Sequence, residues 1–164
     1  MTRSHAVVEK TPLPATAQLW QAVLPGDFID GYAVESRISP RAVAEIGLAL
    51  PGWANALMHL RNWIVRPLGL KTEVSDSGDK AIFPVTHEDT EELILGADDS
   101  HLNFRISLIQ QAGRLHMATW VHRNNLLGRV YLAVVMPFHI LIVRGAMRRI
   151  ARHGGAIASA PGAQ

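Results

Sequence analysis

Residues 101–143 read HLNFRISLIQQAGRLHMATWVHR and then NNLLGRVYLAVVMPFHILIV, an alternating stretch followed by a nearly unbroken apolar run. From His101 to Gln110, and again from Arg114 to Arg123, apolar residues recur at every second position, the period of a strand with one buried face. Gln111, Ala112 and Gly113 join the two runs at hairpin spacing. A two-residue loop at Ala112 and Gly113 sets Arg105 opposite Trp120 and Ile106 opposite Thr119, and a four-residue loop preserves that facing. Leu102, Phe104, Ile106 and Leu108 then share an inner face with Leu115, Met117, Thr119 and Val121. His101, Asn103, Arg105, His116, Trp120 and His122 fall on the other face, which reads as the wet side of a half-buried sheet.

Asn124 and Asn125 turn the chain into its last element, a helix expected over Leu126 to Arg152, about 40 Å long, with a kink at Pro137. Its central 14 residues, Val130 to Val143, are apolar but for Pro137 and His139. A spanning helix needs roughly 20, so the run is expected to be a core helix, substantially buried over the apolar face of the sheet.

Toward the N-terminus, Phe28, Tyr32 and Val34 alternate with Ile29, Ala33 and Glu35 in a first strand, with Asp30 on the aromatic side. Ser39-Pro40 is a helix start, and a helix over Arg41 to Leu50 stops at Pro51. A second helix is expected from Gly52 to Arg66, short strands at Ala81 to Val85 and Glu91 to Gly96, and a further strand at Leu70 to Ser75. The order strand, two helices, antiparallel strands, long helix is an α+β helix-grip arrangement, a curved antiparallel sheet holding a C-terminal helix. Residues 1–26, broken by Pro12, Pro14 and Pro25, read as a loosely ordered lead-in with one short helical turn around Ala17 to Ala22. Residues 27–153 form the single domain, and 154–164 an uncharged disordered tail.

Composition narrows the function. The 164 residues contain no cysteine, which excludes disulfides, thiolate catalysis and cysteine-bearing metal sites. Glu9 and Lys10 interrupt the stretch where a secretory signal is apolar, so a cytoplasmic protein is expected. Residues 1–99 carry 8 basic and 14 acidic side chains, a net −6, whereas residues 100–164 carry 8 basic and none acidic, +8. Two complementary halves of one domain account for this, and a membrane-facing or anion-binding surface is the sharper alternative. No nucleic-acid binding is expected, because the strands lack an aromatic platform and no helix-turn-helix pair is evident. Hydrolase elbows, zinc helices and phosphate-cradling loops are missing. His116 and His122 lie six residues apart on one strand, about 20 Å, too far to share a metal. Neither metal nor cofactor is expected.

Four segments carry a family resemblance: Asp27-Phe28-Ile29-Asp30; the run from Leu60 to Thr72; Asp98-Asp99-Ser100-His101-Leu102-Asn103-Phe104-Arg105; and Asn125-Leu126-Leu127-Gly128-Arg129-Val130-Tyr131 with Met136-Pro137-Phe138-His139. From about Asp27 to His153 the chain resembles the bacterial family known as domain of unknown function 2867. That resemblance implies kinship with the START-like, or polyketide-cyclase-like (SRPBCC), ligand-binding superfamily. It implies no established activity. Relatives also occur behind nucleotide-sugar-epimerase-like domains, whose glycine-rich dinucleotide fingerprint this chain lacks.

The expected function is binding of a small hydrophobic or amphipathic molecule between sheet and last helix, lined by Phe28, Tyr32, Phe104, Ile106, Met117 and Val121, with His139 on the helix. A second reading is a cyclase-like enzyme in which Asp30, a carboxylate between two aromatic neighbours, acts as acid or base while His59 or Arg61 orients the substrate. The bland alternative for Asp30 is a carboxylate fixing a helix end or pairing with an arginine. A third reading gives the stripe Arg144, Arg148 and Arg152 a peripheral membrane or partner contact instead of plain solvation.

Overall fold

The computed structural model describes residues 7–47 and 83–158. Six strands form one antiparallel sheet in the order β1-β2-β6-β5-β4-β3. They are β1 Glu9–Lys10, β2 Phe28–Glu35, β3 Val85–Glu88, β4 Glu92–Asp98, β5 Leu102–Gln111 and β6 Arg114–Arg123. Helix α1 covers Pro40–Gly47 and helix α2 covers Leu126–Ala158. With α2 laid over one face of an open sheet, the chain has an α+β, helix-grip-like fold. The expected helix at Gly52 to Arg66 and strand at Leu70 to Ser75 lie outside the described residues.

The central hairpin forms as its alternation requires. Ala112 and Gly113 both have positive φ, 51° and 76°, the backbone of a two-residue turn whose twist matches the strands it joins. Arg105 consequently faces Trp120, and Ile106 faces Thr119. Strand β2 pairs along its whole length with β6, setting Phe28 against Val121, Asp30 against Thr119 and Tyr32 against Met117. Phe28, Asp30, Tyr32 and Val34 therefore share the helix side with Thr119, Met117 and Leu115.

The opposite face is covered in part: His101 and Trp120 are buried, while Asn103, Arg105, His116 and His122 remain partly exposed. Leu13, Ala17 and Leu19 from the lead-in are buried there with Ile94, Ile109, Ala118 and Trp120 in a second apolar cluster. The lead-in is thus packed onto the sheet, with a short 3-10 helix at Gln18–Gln21. Buried Glu92 helps tether it: one carboxylate oxygen accepts from the Gln18 amide at 2.6 Å, the other from the Ser107 hydroxyl at 2.5 Å. Gly31 permits the crossing, since a Cβ there would stand 2.4 Å from the Thr11 carbonyl oxygen.

On the helix side, Val34, Leu93, Leu95, Leu108, Leu115 and Met117 meet Val43 of α1 and Val143, Met147 and Ile150 of α2. Ser39 caps α1 through its hydroxyl, which accepts from the Ala42 amide, and Pro40 occupies the first turn as expected. Asn125 caps α2, its Oδ1 accepting the Gly128 amide at 3.0 Å. Helix α2 continues through Pro137 and on to Ala158, past the end expected at Arg152.

The expectation that Val130 to Val143 is substantially buried is overturned. Within that run Val143 is the one fully buried residue, while Val130, Val134, Phe138 and Leu141 are exposed. The core contact lies further on, at Val143, Ala146, Met147, Ile150 and Ala151. A helix laid on a sheet buries one side only, and a run apolar all round leaves its other side uncovered.

Truncation of Ile150 or Met147 to alanine should therefore cost about 2–5 kcal/mol, while Val134→Ala should stay within about 0.5 kcal/mol of the parent. Urea unfolding of the three variants checks this; comparable losses at all three positions would contradict the division of α2 into a core half and an uncovered half.

Candidate functional site

A carboxylate is costly to bury unless it is paired, so Asp30 draws attention first. It lies midway along β2, 6% exposed, on the face covered by α2. Lys10 of the neighbouring β1 approaches one oxygen, Nζ to Oδ1 at 3.3 Å, with the lysine itself mostly in solvent. The other oxygen points toward α2, where His139 Nε2 stands 3.7 Å away. Among the described residues neither Asp30 Oδ2 nor His139 Nε2 has a hydrogen-bond partner. At that separation the two atoms are too far apart for a direct bond, and a single small polar group placed beside them could hydrogen-bond both.

The walls are apolar and aromatic. The Phe28 ring meets the His139 ring edge to face, with centroids 6.1 Å apart. Thr119 and Val121 of β6 flank Asp30 and Phe28 across the strand pair. Phe104 and Ile106 follow on β5, half-buried, and Phe83 packs edge to face on Phe104 at 5.0 Å.

Electrostatics favour a neutral imidazole beside the carboxylate. Burial pulls the His139 pKa below its ordinary value, against the opposing pull of Asp30. Tyr32 is pushed up, by burial first and by hydrogen bonding and charge from Asp30 next, with Arg144 opposing, so the phenol keeps its proton. The arrangement offers a hydrogen-bond acceptor, a neutral imidazole and a phenol on an apolar surface, a set suited to orienting a polar group or moving a proton.

Of the residues singled out in the sequence, Phe28, Asp30, Tyr32 and His139 come together here. Met117 and Val121 lie on the same face but are fully buried as core, whereas Phe104 and Ile106 remain partly open. His59 and Arg61 lie outside the described residues. Among the described residues the cation beside Asp30 is Lys10. The Asp30–His139 approach joins residues over a hundred positions apart, and only the placement of each on an inward face hinted at it. A separate open groove of about 340 Å³, lined by Thr16, Gln18, Asp89, Thr90, Glu91, Glu92 and Ile109, holds none of the expected lining residues.

Two other clusters are structural. Asp27 is held behind the sheet by the Leu24 amide, by Trp120 Nε1 at 2.8 Å and by His122 Nδ1 at 2.6 Å. Burial works to raise its pKa, but these hydrogen bonds and the nearby imidazole together hold it below the ordinary value. Trp120, expected on a wet face, is thus buried and bonded. At the start of α2, buried His101 meets Tyr131 edge to face at 5.1 Å, and a Cβ on Gly128 would stand 2.0 Å from the His101 carbonyl oxygen. No group of His, Asp and Glu among the described residues is arranged to hold a metal ion.

Residues 25–146 match the family model described as protein of unknown function, DUF2867. No curated protein matches the chain, and no solved structure does.

The depressed His139 pKa makes a prediction with a definite sign. The unfolded chain takes up this proton near pH 6.5, whereas the folded chain resists it until lower pH, so the stability contribution is complete above about 6.5 and falls as pH falls below it. Between about pH 7.5 and about pH 5.5 the urea midpoint of the parent should drop more than that of His139→Phe, which cannot titrate. Equal drops would show that the imidazole is not held neutral by the fold.

Proposed function

We propose, for a chain that belongs to the DUF2867 family of proteins of unknown function, that it binds a small amphipathic molecule between the inner face of the sheet and α2. The supporting observation is the facing pair Asp30 Oδ2 and His139 Nε2, buried, 3.7 Å apart and without hydrogen-bond partners among the described residues. Unmet polar atoms in an apolar setting each cost on the order of 1–3 kcal/mol, so a group that satisfies both gains affinity from ending that cost. A hydroxyl fits: it donates one hydrogen bond to the carboxylate and accepts one from the imidazole N–H. The apolar part of the ligand then lies along Phe28, Phe104 and Ile106. Such a site is mostly apolar with a few convergent polar groups, the usual composition of a small-molecule pocket.

The reading predicts a retained or acquired ligand whose binding depends on Asp30. Native mass spectrometry of protein purified from cells should show a small-molecule adduct, reduced in Asp30→Asn and in His139→Phe. Thermal unfolding against a panel of long-chain alcohols, sterols and aromatic polyketides should raise the midpoint of the parent by several degrees for at least one class. Absence of any adduct together with a flat response across the panel would dispose of the proposal.

A further inference from the structure

Helix α2 carries a second feature on the side turned away from Asp30. Leu126, Val130, Val134, Phe138 and Leu141 follow one another at intervals of three or four residues, so they form one line along the helix. All are exposed, Leu126 by 74%, Val134 by 63% and Leu141 by 61%. The same line continues through Arg144, Arg148 and Arg152, again at three- and four-residue steps and again exposed. One helix side is therefore apolar over its first half and cationic over its second. No acidic residue occurs on α2, or anywhere after Asp99, to neutralise it.

We infer that this side of α2 is a docking surface for an anionic phospholipid bilayer, with the apolar half seated among acyl chains and the arginine half among lipid phosphates. Charge and polarity decide the occupant. An antiparallel second copy overlapping the whole line would press Arg144, Arg148 and Arg152 onto the partner's Val134, Val130 and Leu126, and a parallel one would stack arginine on arginine. A bilayer surface accepts both halves at once, because it presents an apolar layer beside a phosphate layer. The helix is long and apolar enough to cross a membrane by length and composition alone. Its other side, however, buries Val143, Met147 and Ile150 against the sheet and α1. The helix lies on the bilayer rather than through it.

The test uses the full chain and vesicles of phosphatidylcholine, with or without about one part in four of phosphatidylglycerol. Co-sedimentation should occur with the anionic vesicles and fall away with pure phosphatidylcholine. The triple variant Arg144→Gln, Arg148→Gln, Arg152→Gln should lose roughly five-fold in partitioning per arginine, from about 1 kcal/mol each. The variant Val134→Ser, Leu141→Ser should also release the protein while leaving its circular dichroism and urea midpoint unchanged. Binding that ignores lipid charge, or no binding at all, overturns the inference. So does a parent chain that forms dimers by sedimentation equilibrium, dissolved by the serine variant, and stays off vesicles; that result would assign the apolar line to a second copy.

Discussion

The two positive φ angles at Ala112 and Gly113 decide which side chains of the central hairpin face α2. In a strand pair a slip of one residue exchanges the two faces, so this turn fixes more than its own geometry. It sends Leu108, Leu115 and Met117 into the helix-side core and Ile109, Ala118 and Trp120 into the lead-in side. Strand β2 then reads its register from β6, and Asp30 arrives opposite Thr119 on the helix side. Were the hairpin displaced by one, the carboxylate would face the lead-in and the site beside His139 would not exist.

Burying Asp30 works against folding, and the neighbourhood meets that cost only in part. Lys10 approaches one oxygen from solvent, a contact worth little because the ammonium is largely hydrated. The second oxygen faces a histidine whose proton uptake burial suppresses. Glu92 shows the contrast on the other side of the sheet. That carboxylate is equally buried but receives the Gln18 amide and the Ser107 hydroxyl, one to each oxygen, and so fastens the lead-in. Glu92 thus receives a short hydrogen bond on each oxygen, whereas Asp30, with the Tyr32 hydroxyl and Lys10 beside it, keeps Oδ2 without a hydrogen-bond partner among the described residues. That asymmetry, more than the presence of an acid among aromatics, is what singles out the site.

Much of this was legible in the residues. Strict alternation, a small turn and the Ser39-Pro40 start lead to the hairpin, its facing and α1, because these depend on local period and capping chemistry. Three of the four quoted family segments lie among the described residues and meet there: Asp27 to Asp30 with His139, and Asp98 to Arg105 with the start of α2, where Asn124 and Asn125 bond to the carbonyls of Asp99 and Ser100. What was not legible depends on distance along the chain. Leu13, Ala17 and Leu19 follow no helical or strand period, since prolines shape that segment, so nothing local announces that they cover Trp120. Two-sided coverage of an antiparallel sheet can be read only once the covering segment is placed.

Helix α2 shows why an apolar run is a poor guide to burial. Composition treats Val130 to Val143 as one stretch, but a helix turns each successive residue by about 100°, and only the side toward the sheet gains a partner. His139 and Phe138 are adjacent in sequence yet meet different surroundings, one facing Asp30 and the other exposed. Further along, the exposed side changes to arginine while the buried side stays apolar, and the helix becomes an ordinary amphipathic core element. The first half has no such change. Among the described residues nothing covers Val130, Val134, Phe138 and Leu141, which stay exposed. An apolar line set apart from the core, ending in cations and free of acids, is what the proposed bilayer contact requires of the helix.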